Sequence, residues 1–184
     1  MLRIFRLSVV ICRHSAAPRK YSGPIGKCAV GVLTEGQLHH IHALTGDVNE
    51  ASTVEAYYRA RSEHDVFHSA LYTRATKQNN YTVCYKTSMT SSLQFGEIYC
   101  FVCIKSFYEQ KVVAIVTPFE KSHFHFTSSH DLNSYLEQRI IPIHRPAVRR
   151  EEYIDICEIS KCISIINLQG QRFVCVFANT LHSI

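Results

Sequence analysis

Residues 65–104 decide the fold, and they read DVFHSALYTRATKQNNYTVCYKTSMTSSLQFGEIYCFVCI. Apolar and polar residues alternate in this stretch, which breaks at Lys77-Gln78-Asn79-Asn80 and resumes at Tyr81. After a loop rich in Ser, Thr and Met, a long β-rich run begins at Phe95. Alternation with a period of two, interrupted by turn residues, is typical of paired strands. The stretch therefore predicts a sheet, although it carries no signature of a reaction.

The rest of the chain continues this pattern and adds two short helices. Thr34-Glu35-Gly36-Gln37 has the spacing of a capping box and predicts a helix over residues 35–45. A second helix is predicted over residues 131–139. About nine strands with two helices indicate a mainly β fold, with an antiparallel sheet that is curled or forms a partly open barrel. An α+β fold is the alternative. The predicted extended segments are 54–61, 66–72, 81–86, 95–104, 112–117, 140–144, 153–159, 162–167 and 172–177.

The run from Phe95 to Ile104 is apolar on both of its faces, which favours a central or covered strand. Cys100 and Cys103 within it have C-x-x-C spacing, but strand residues three apart point to opposite faces. We therefore expect these cysteines to pack in the core rather than to form a metal or redox site. Strict alternation places Ile98, Cys100, Val102 and Ile104 on one face, and Tyr99, Phe101 and Cys103 on the other.

The length and composition of the chain indicate one folded domain, with or without an N-terminal arm. The chain has 184 residues, of which 46% are apolar and 19% charged. Residues 1–22 contain five basic residues and no acidic residue, which equals the whole net charge of +5. Residues 23–184 are predicted to be a single β-rich domain with no net charge. Long-range attraction to phosphate backbones is therefore weak, and any nucleic-acid binding requires a local basic patch.

Six of the eight cysteines lie in apolar, strand-like runs, where a free thiol packs as a small hydrophobic group. This distribution indicates a reducing, intracellular compartment, with the nucleus or cytoplasm favoured. No apolar run approaches the roughly 18 to 20 residues that a membrane-spanning helix needs. No cofactor is predicted.

Residues 1–22, MLRIFRLSVVICRHSAAPRKYS, form a basic leader or the start of a fragment. Arginine and serine without any acidic residue are typical of a mitochondrial presequence, and Arg3, Arg6 and Arg13 fall on one side of a helix. The Arg19-Lys20-Tyr21-Ser22 segment resembles a matrix-processing site. The alternative is an arm lying on the sheet. A mitochondrial protein cleaved after Tyr21 therefore remains one hypothesis.

Five basic residues are the candidate contacts for a protein or nucleic-acid partner. Two are predicted at a hairpin tip and three on a loop, where Glu151 and Glu152 partly neutralise them. No nucleophile, phosphate-loop or dinucleotide motif occurs, so no catalytic or metal residue is nominated. A metal- or thiol-dependent enzyme is the alternative, and its residues are Cys100, Cys103, His123 and His125. The five candidate contacts are Arg74, Lys77, Arg145, Arg149 and Arg150.

Several short motifs of this β-rich region resemble one family. They are Val66-Phe67-His68-Ser69, Asn79-Asn80-Tyr81-Thr82-Val83, Phe95-Gly96-x-Ile98 and the closing Phe177-Ala178-Asn179-Thr180. Together they resemble the β-rich C-terminal region of uncharacterised transposase-like proteins encoded by mobile elements in animal genomes. The likeness covers residues 23–182 and implies a detached, non-catalytic module, because the catalytic acids of such proteins would lie in an upstream domain.

Overall fold

A computed structural model describes residues 22–45, 53–62, 65–73, 81–87, 90–105, 110–122, 140–148, 150–168 and 170–175. The protein is mainly β, as the sequence predicts. Within these ranges the strands pair antiparallel in three sheets that do not close into a barrel. The strands are β1 Gly23–Pro24, β2 Thr53–Tyr57, β3 Arg59–Ser62, β4 Asp65–His68, β5 Thr82–Thr87, β6 Thr90–Lys105, β7 Gln110–Pro118, β8 Glu120–Lys121, β9 Ile140–His144, β10 Glu152–Asp155, β11 Ile159–Cys162, β12 Ser164–Leu168 and β13 Gln171–Cys175.

Strand β6 is the centre of the fold, as predicted for the run from Phe95. It is 16 residues long and pairs with β7 on one edge from Gly96 to Lys105. On its other edge, the first half pairs with β5 and the second half with β2. Strands β10 and β11 complete this central sheet in the order β10-β7-β6-β5-β11. The two smaller sheets have the orders β1-β3-β4 and β12-β13-β9-β8.

The edge of β6 changes partner at Ile98 without losing backbone hydrogen bonds. The Ile98 N–H donates to the Tyr81 carbonyl at 2.8 Å, and the Ile98 carbonyl accepts from the Ala70 N–H at 2.8 Å. Because an unpaired buried backbone group is costly, these two bonds stabilise the change from β5 to β2. They also attach the segment after β4 to the central strand.

A β-bulge at Tyr99 corrects the predicted faces of β6. Ile98 pairs with Val116 and Cys100 with Ile115, so Tyr99 is an extra residue in the ladder. A bulge of this kind shifts the side-chain alternation by one residue. Ile98 therefore shares a buried cluster with Phe101 and Cys103 rather than with Cys100, Val102 and Ile104.

Three predicted strands are wrong in extent: the predicted strand 66–72 ends at His68, and tertiary pairing divides the other two. The predicted strand 54–61 is interrupted at Tyr58, since β2 pairs with β6 while β3 pairs with β4. The predicted strand 153–159 contains a 3-10 helix at Ile156–Glu158. Asp155 begins this turn, because its carboxylate accepts a hydrogen bond of 2.9 Å from the Cys157 N–H. With the two-residue strands β1 and β8, which were not predicted, these divisions give thirteen strands rather than about nine in the described ranges.

The predicted capping box begins helix α1, Glu35–Thr45, as expected. The Gln37 N–H donates to Thr34 Oγ1 at 3.2 Å, and the Thr34 N–H donates to Gln37 Oε1 at 2.9 Å. Ile41 is buried against the face of the central sheet that contains Cys100 and Val102. The second predicted helix, 131–139, lies outside the described residues.

Both faces of the central sheet are covered. The β3–β4 hairpin and the 3-10 helix cover one face, around Phe67, Tyr85 and Phe101. Helix α1 covers one end of the opposite face, and the sheet of β9, β12 and β13 covers the other end. In the part of the chain that is described, no helix has the length and hydropathy needed to cross a bilayer.

Candidate functional site

Two of the five predicted contact residues, Arg145 and Arg150, belong to the described part of the chain. They lie in the connection between β9 and β10, and both are exposed. Arg74, Lys77 and Arg149 lie outside the described residues, so their role as contacts stays a prediction. Residues 1–21 also lie outside, and the leader prediction stays a prediction as well.

Two open depressions meet at Pro146 in this connection. The first has a volume of about 350 Å³ and the second about 290 Å³. Val148 in the same connection is 72% exposed. We call this region the Pro146 surface. It is lined by Ala70, Gln94, Glu97, Ile98, Tyr99, Thr117, Pro118, Phe119, Glu120, Lys121, Arg145, Pro146, Arg150 and Glu152.

Arg145 is held by a carboxylate that the sequence did not indicate. Its Nη2 donates to Glu97 Oε1 at 2.9 Å and to Glu97 Oε2 at 2.7 Å. The Glu97 side chain is only 16% exposed, whereas that of Arg145 is 59% exposed. The hydrogen bond that Arg145 donates to the Glu97 carboxylate raises the pKa of Arg145. The positive charge of Arg145 is therefore neutralised within the protein.

The other charged groups of the Pro146 surface also balance one another. Glu120 lies 3.1 Å from His144 Nε2, and Lys121 lies 5.9 Å above the Phe95 ring. Glu152 accepts a hydrogen bond of 2.8 Å from the Tyr85 hydroxyl. Three carboxylates thus oppose the cations Lys121, Arg145 and Arg150. The described residues that line this surface therefore carry no net positive charge.

The C-x-x-C cysteines behave as the strand geometry predicts. Cys100 and Cys103 lie in different buried clusters on opposite faces of β6, so their sulfurs cannot converge on one metal ion. Burial raises the pKa of the Cys103 thiol, which is the opposite of the change that activates a nucleophile. Within the described ranges, no group of three or more His, Cys, Asp or Glu residues is arranged to hold a metal. His123 and His125 lie outside those ranges.

Sequence reasoning missed a second cluster, on the β3–β4 hairpin. Arg59 lies directly opposite His68 in this strand pair. The His68 ring centroid is 4.9 Å from that of Tyr72, and the Arg59 guanidinium carbon is 5.3 Å from the Tyr72 ring centroid. The predicted turn at 62–65 already contained the signal, because a hairpin closed there places residue 59 opposite residue 68.

The fold and the Pro146 surface define a mainly β protein with an open, charge-balanced surface beside its central strand. No model of a known protein family matches the chain, and comparisons with curated proteins and with solved structures find no significant match.

Proposed function

We propose that this chain is a non-catalytic binding module of transposon origin and that the Pro146 surface binds a protein segment. The observation that carries the choice of partner is the ion pair between Arg145 and Glu97, in which Nη2 contacts both carboxylate oxygens. A surface that binds nucleic acid presents clustered cations that replace the counterions of the phosphates. Here the best-placed cation of the predicted basic loop is already paired with a carboxylate.

The apolar groups of the surface fit a peptide better than a nucleic-acid backbone. Pro118, Phe119 and Pro146 line the depressions, and Val148, two residues after Pro146 in the same connection, is 72% exposed. Protein interfaces combine a few apolar anchors with a polar rim, and arginine is enriched among the residues that carry their binding energy. Val148 supplies an anchor of this kind, and Arg150 supplies the rim.

A peptide library displayed on phage and selected against the full chain tests this proposal. Enriched peptides are expected to bind Val148→Ser about tenfold more weakly than the unchanged protein, because a buried valine contributes about 1.5 kcal/mol. Val30→Ser is the matched control, since Val30 is also exposed, at 93%, but does not belong to the connection between β9 and β10 that contains Pro146 and Val148. Enriched peptides that bind both variants equally would contradict the assignment of the surface.

If the module binds a nucleic acid instead of a protein segment, we expect it to be retained on a heparin column. Retention at low salt, together with DNA binding that falls steeply as salt rises, would replace the protein partner by a nucleic acid. No retention at low salt removes the nucleic-acid version. Arg145→Gln is informative here, because it is expected to leave heparin behaviour unchanged if Glu97 already neutralises this arginine.

The motifs quoted above support the transposon origin, and a module of this origin acts in the nucleus or cytoplasm. The genomic context of the reading frame tests the origin, because transposase coding sequence is expected just upstream. A fluorescent reporter fused to residues 1–30 tests the compartment. Mitochondrial import of that reporter would contradict the proposed compartment and support the presequence hypothesis instead.

A further inference from the structure

We propose that Arg59 and His68 form a binding site for an oxyanion group, either a carboxylate or a phosphate, beside the Tyr72 ring. The two residues are directly opposite in the β3–β4 pair. Their neighbours Ala60 and Phe67 point to the other face of the hairpin, into the core. Arg59 and His68 therefore share the face that does not enter this core, and there both contact Tyr72.

Two polar atoms of this pair are buried without a partner. Arg59 Nε and His68 Nδ1 have no hydrogen-bond partner among the described residues, although neither atom is accessible to solvent. His68 as a whole is only 9% exposed. Buried polar groups are nearly always hydrogen-bonded, and an unsatisfied one lowers stability. A bound oxyanion supplies acceptors to both atoms.

The charge of the pair selects an anion over other ligands. Arginine stays protonated at every physiological pH, and in the described part of the chain no carboxylate pairs with Arg59. Arg59 instead contacts the Tyr72 ring, whose centroid lies 5.3 Å from the guanidinium carbon. Arg145, in contrast, already forms an ion pair with the carboxylate of Glu97. The guanidinium fork of Arg59 has the planar geometry that binds carboxylate and phosphate oxygens.

The state of His68 is compatible with this role. Burial, and then the Arg59 charge across the strand pair, lower the pKa of His68, so the imidazole is neutral near pH 7. A neutral imidazole carries one N–H, and the tautomer protonated at Nδ1 donates to the anion. An anion between the two residues also opposes the Arg59 charge, so its binding is expected to raise the pKa of His68.

NMR titration of the full chain with inorganic phosphate and, separately, with sodium acetate tests the site at constant ionic strength. We expect one of the two anions to shift the His68 ring signals saturably and to raise the pKa of His68. Phosphate acting alone identifies a phosphate group, and acetate acting alone identifies a carboxylate. No saturable shift with either anion overturns the proposal, because an ordered water would then be sufficient for both atoms.

Matched arginine variants show whether the effect belongs to this site. Arg59→Gln is expected to weaken binding at least tenfold, whereas Arg61→Gln is expected to change it less than twofold. Arg61 is the matched control, because it lies two residues along β3 on the same face and is exposed. Equal weakening by both variants would indicate general charge attraction and overturn the site. If Arg59→Gln does not fold, Arg59→Lys replaces it, since lysine keeps the charge but loses the fork.

Discussion

Substituting Gly96 by alanine is expected to destabilise the protein by about 2 kcal/mol. A Cβ added at Gly96 would lie 2.5 Å from Val116 Cγ1, 2.7 Å from the Thr117 carbonyl oxygen and 3.2 Å from Pro118 Cα. Val116 is fully buried, and the other two atoms belong to the backbone of β7. The methyl group therefore fits only if β6 and β7 move apart. Overpacking of this kind costs about 1 to 3 kcal/mol, and the loss of glycine's chain entropy offsets up to about 1 kcal/mol.

Urea denaturation followed by circular dichroism measures this change in the free energy of unfolding. Gly36→Ala is the matched control, because Gly36 lies in the first turn of α1 and an added Cβ meets no atom within 4 Å. That control is expected to raise the free energy of unfolding by up to about 1 kcal/mol, since alanine is the better helix former. The reasoning is refuted if Gly96→Ala keeps the wild-type midpoint and slope. It would then follow that β7 does not approach β6 this closely.

Three further predictions concern the Arg145–Glu97 pair, the core residue Tyr85 and the proposed anion site at His68. In a double-mutant cycle of Arg145→Gln and Glu97→Gln, the coupling free energy is expected to be about 0.5 to 1 kcal/mol, because Arg145 is largely exposed. Tyr85→Phe is expected to lower the free energy of unfolding by about 1 to 2 kcal/mol, since it removes a partly buried hydrogen bond to Glu152 but keeps the ring. Because the pKa of His68 is lowered from 6.5, the unfolded chain binds more protons just below that pH, and stability is expected to fall as the pH drops below 6.5.

Each of these predictions has a measurement that contradicts it. Additive denaturation midpoints in the cycle would mean that the Arg145–Glu97 pair is not formed in solution. A Tyr85→Phe protein as stable as the wild type would mean that water replaces the hydroxyl. For the pH prediction, His68→Phe keeps the ring against Tyr72 but cannot titrate. Urea midpoints in buffers without phosphate or carboxylate must therefore decline less for this variant between about pH 7 and pH 5.

Local sequence signals were sufficient for the helix and for most strands. The capping residues Thr34 and Gln37 specify where α1 begins, because their side chains bond the backbone only a few residues away. The long apolar run was correctly interpreted as a central strand, since residues buried on both sides leave a pattern in the sequence. Such features depend on neighbours in the chain, and the sequence contains those neighbours in order.

Features that depend on distant partners were not predictable in this way. The bulge at Tyr99 exists because β7 pairs residue by residue with β6 on both sides of it. Tyr58 divides a predicted strand because its two halves have partners in different sheets, β6 and β4. The alternation of apolar and polar residues predicts that a strand forms, but it does not indicate which other strand pairs with each of its edges. Which side chains lie on each face of β6 could therefore be determined only from the structure.

The two sites show the same difference between local and distant information. The partner of Arg145 is Glu97, 48 residues earlier in the chain, so the composition of the loop could indicate Arg145 as a candidate contact but not the carboxylate that pairs with it. Arg59 and His68, in contrast, are separated by a turn that the sequence did predict, and their juxtaposition follows from that turn. A charge count along the chain selects Arg145, whereas the absence of a paired carboxylate within the described residues selects Arg59. For binding an anion, Arg59 is therefore the better candidate, because no carboxylate among the described residues neutralises its charge.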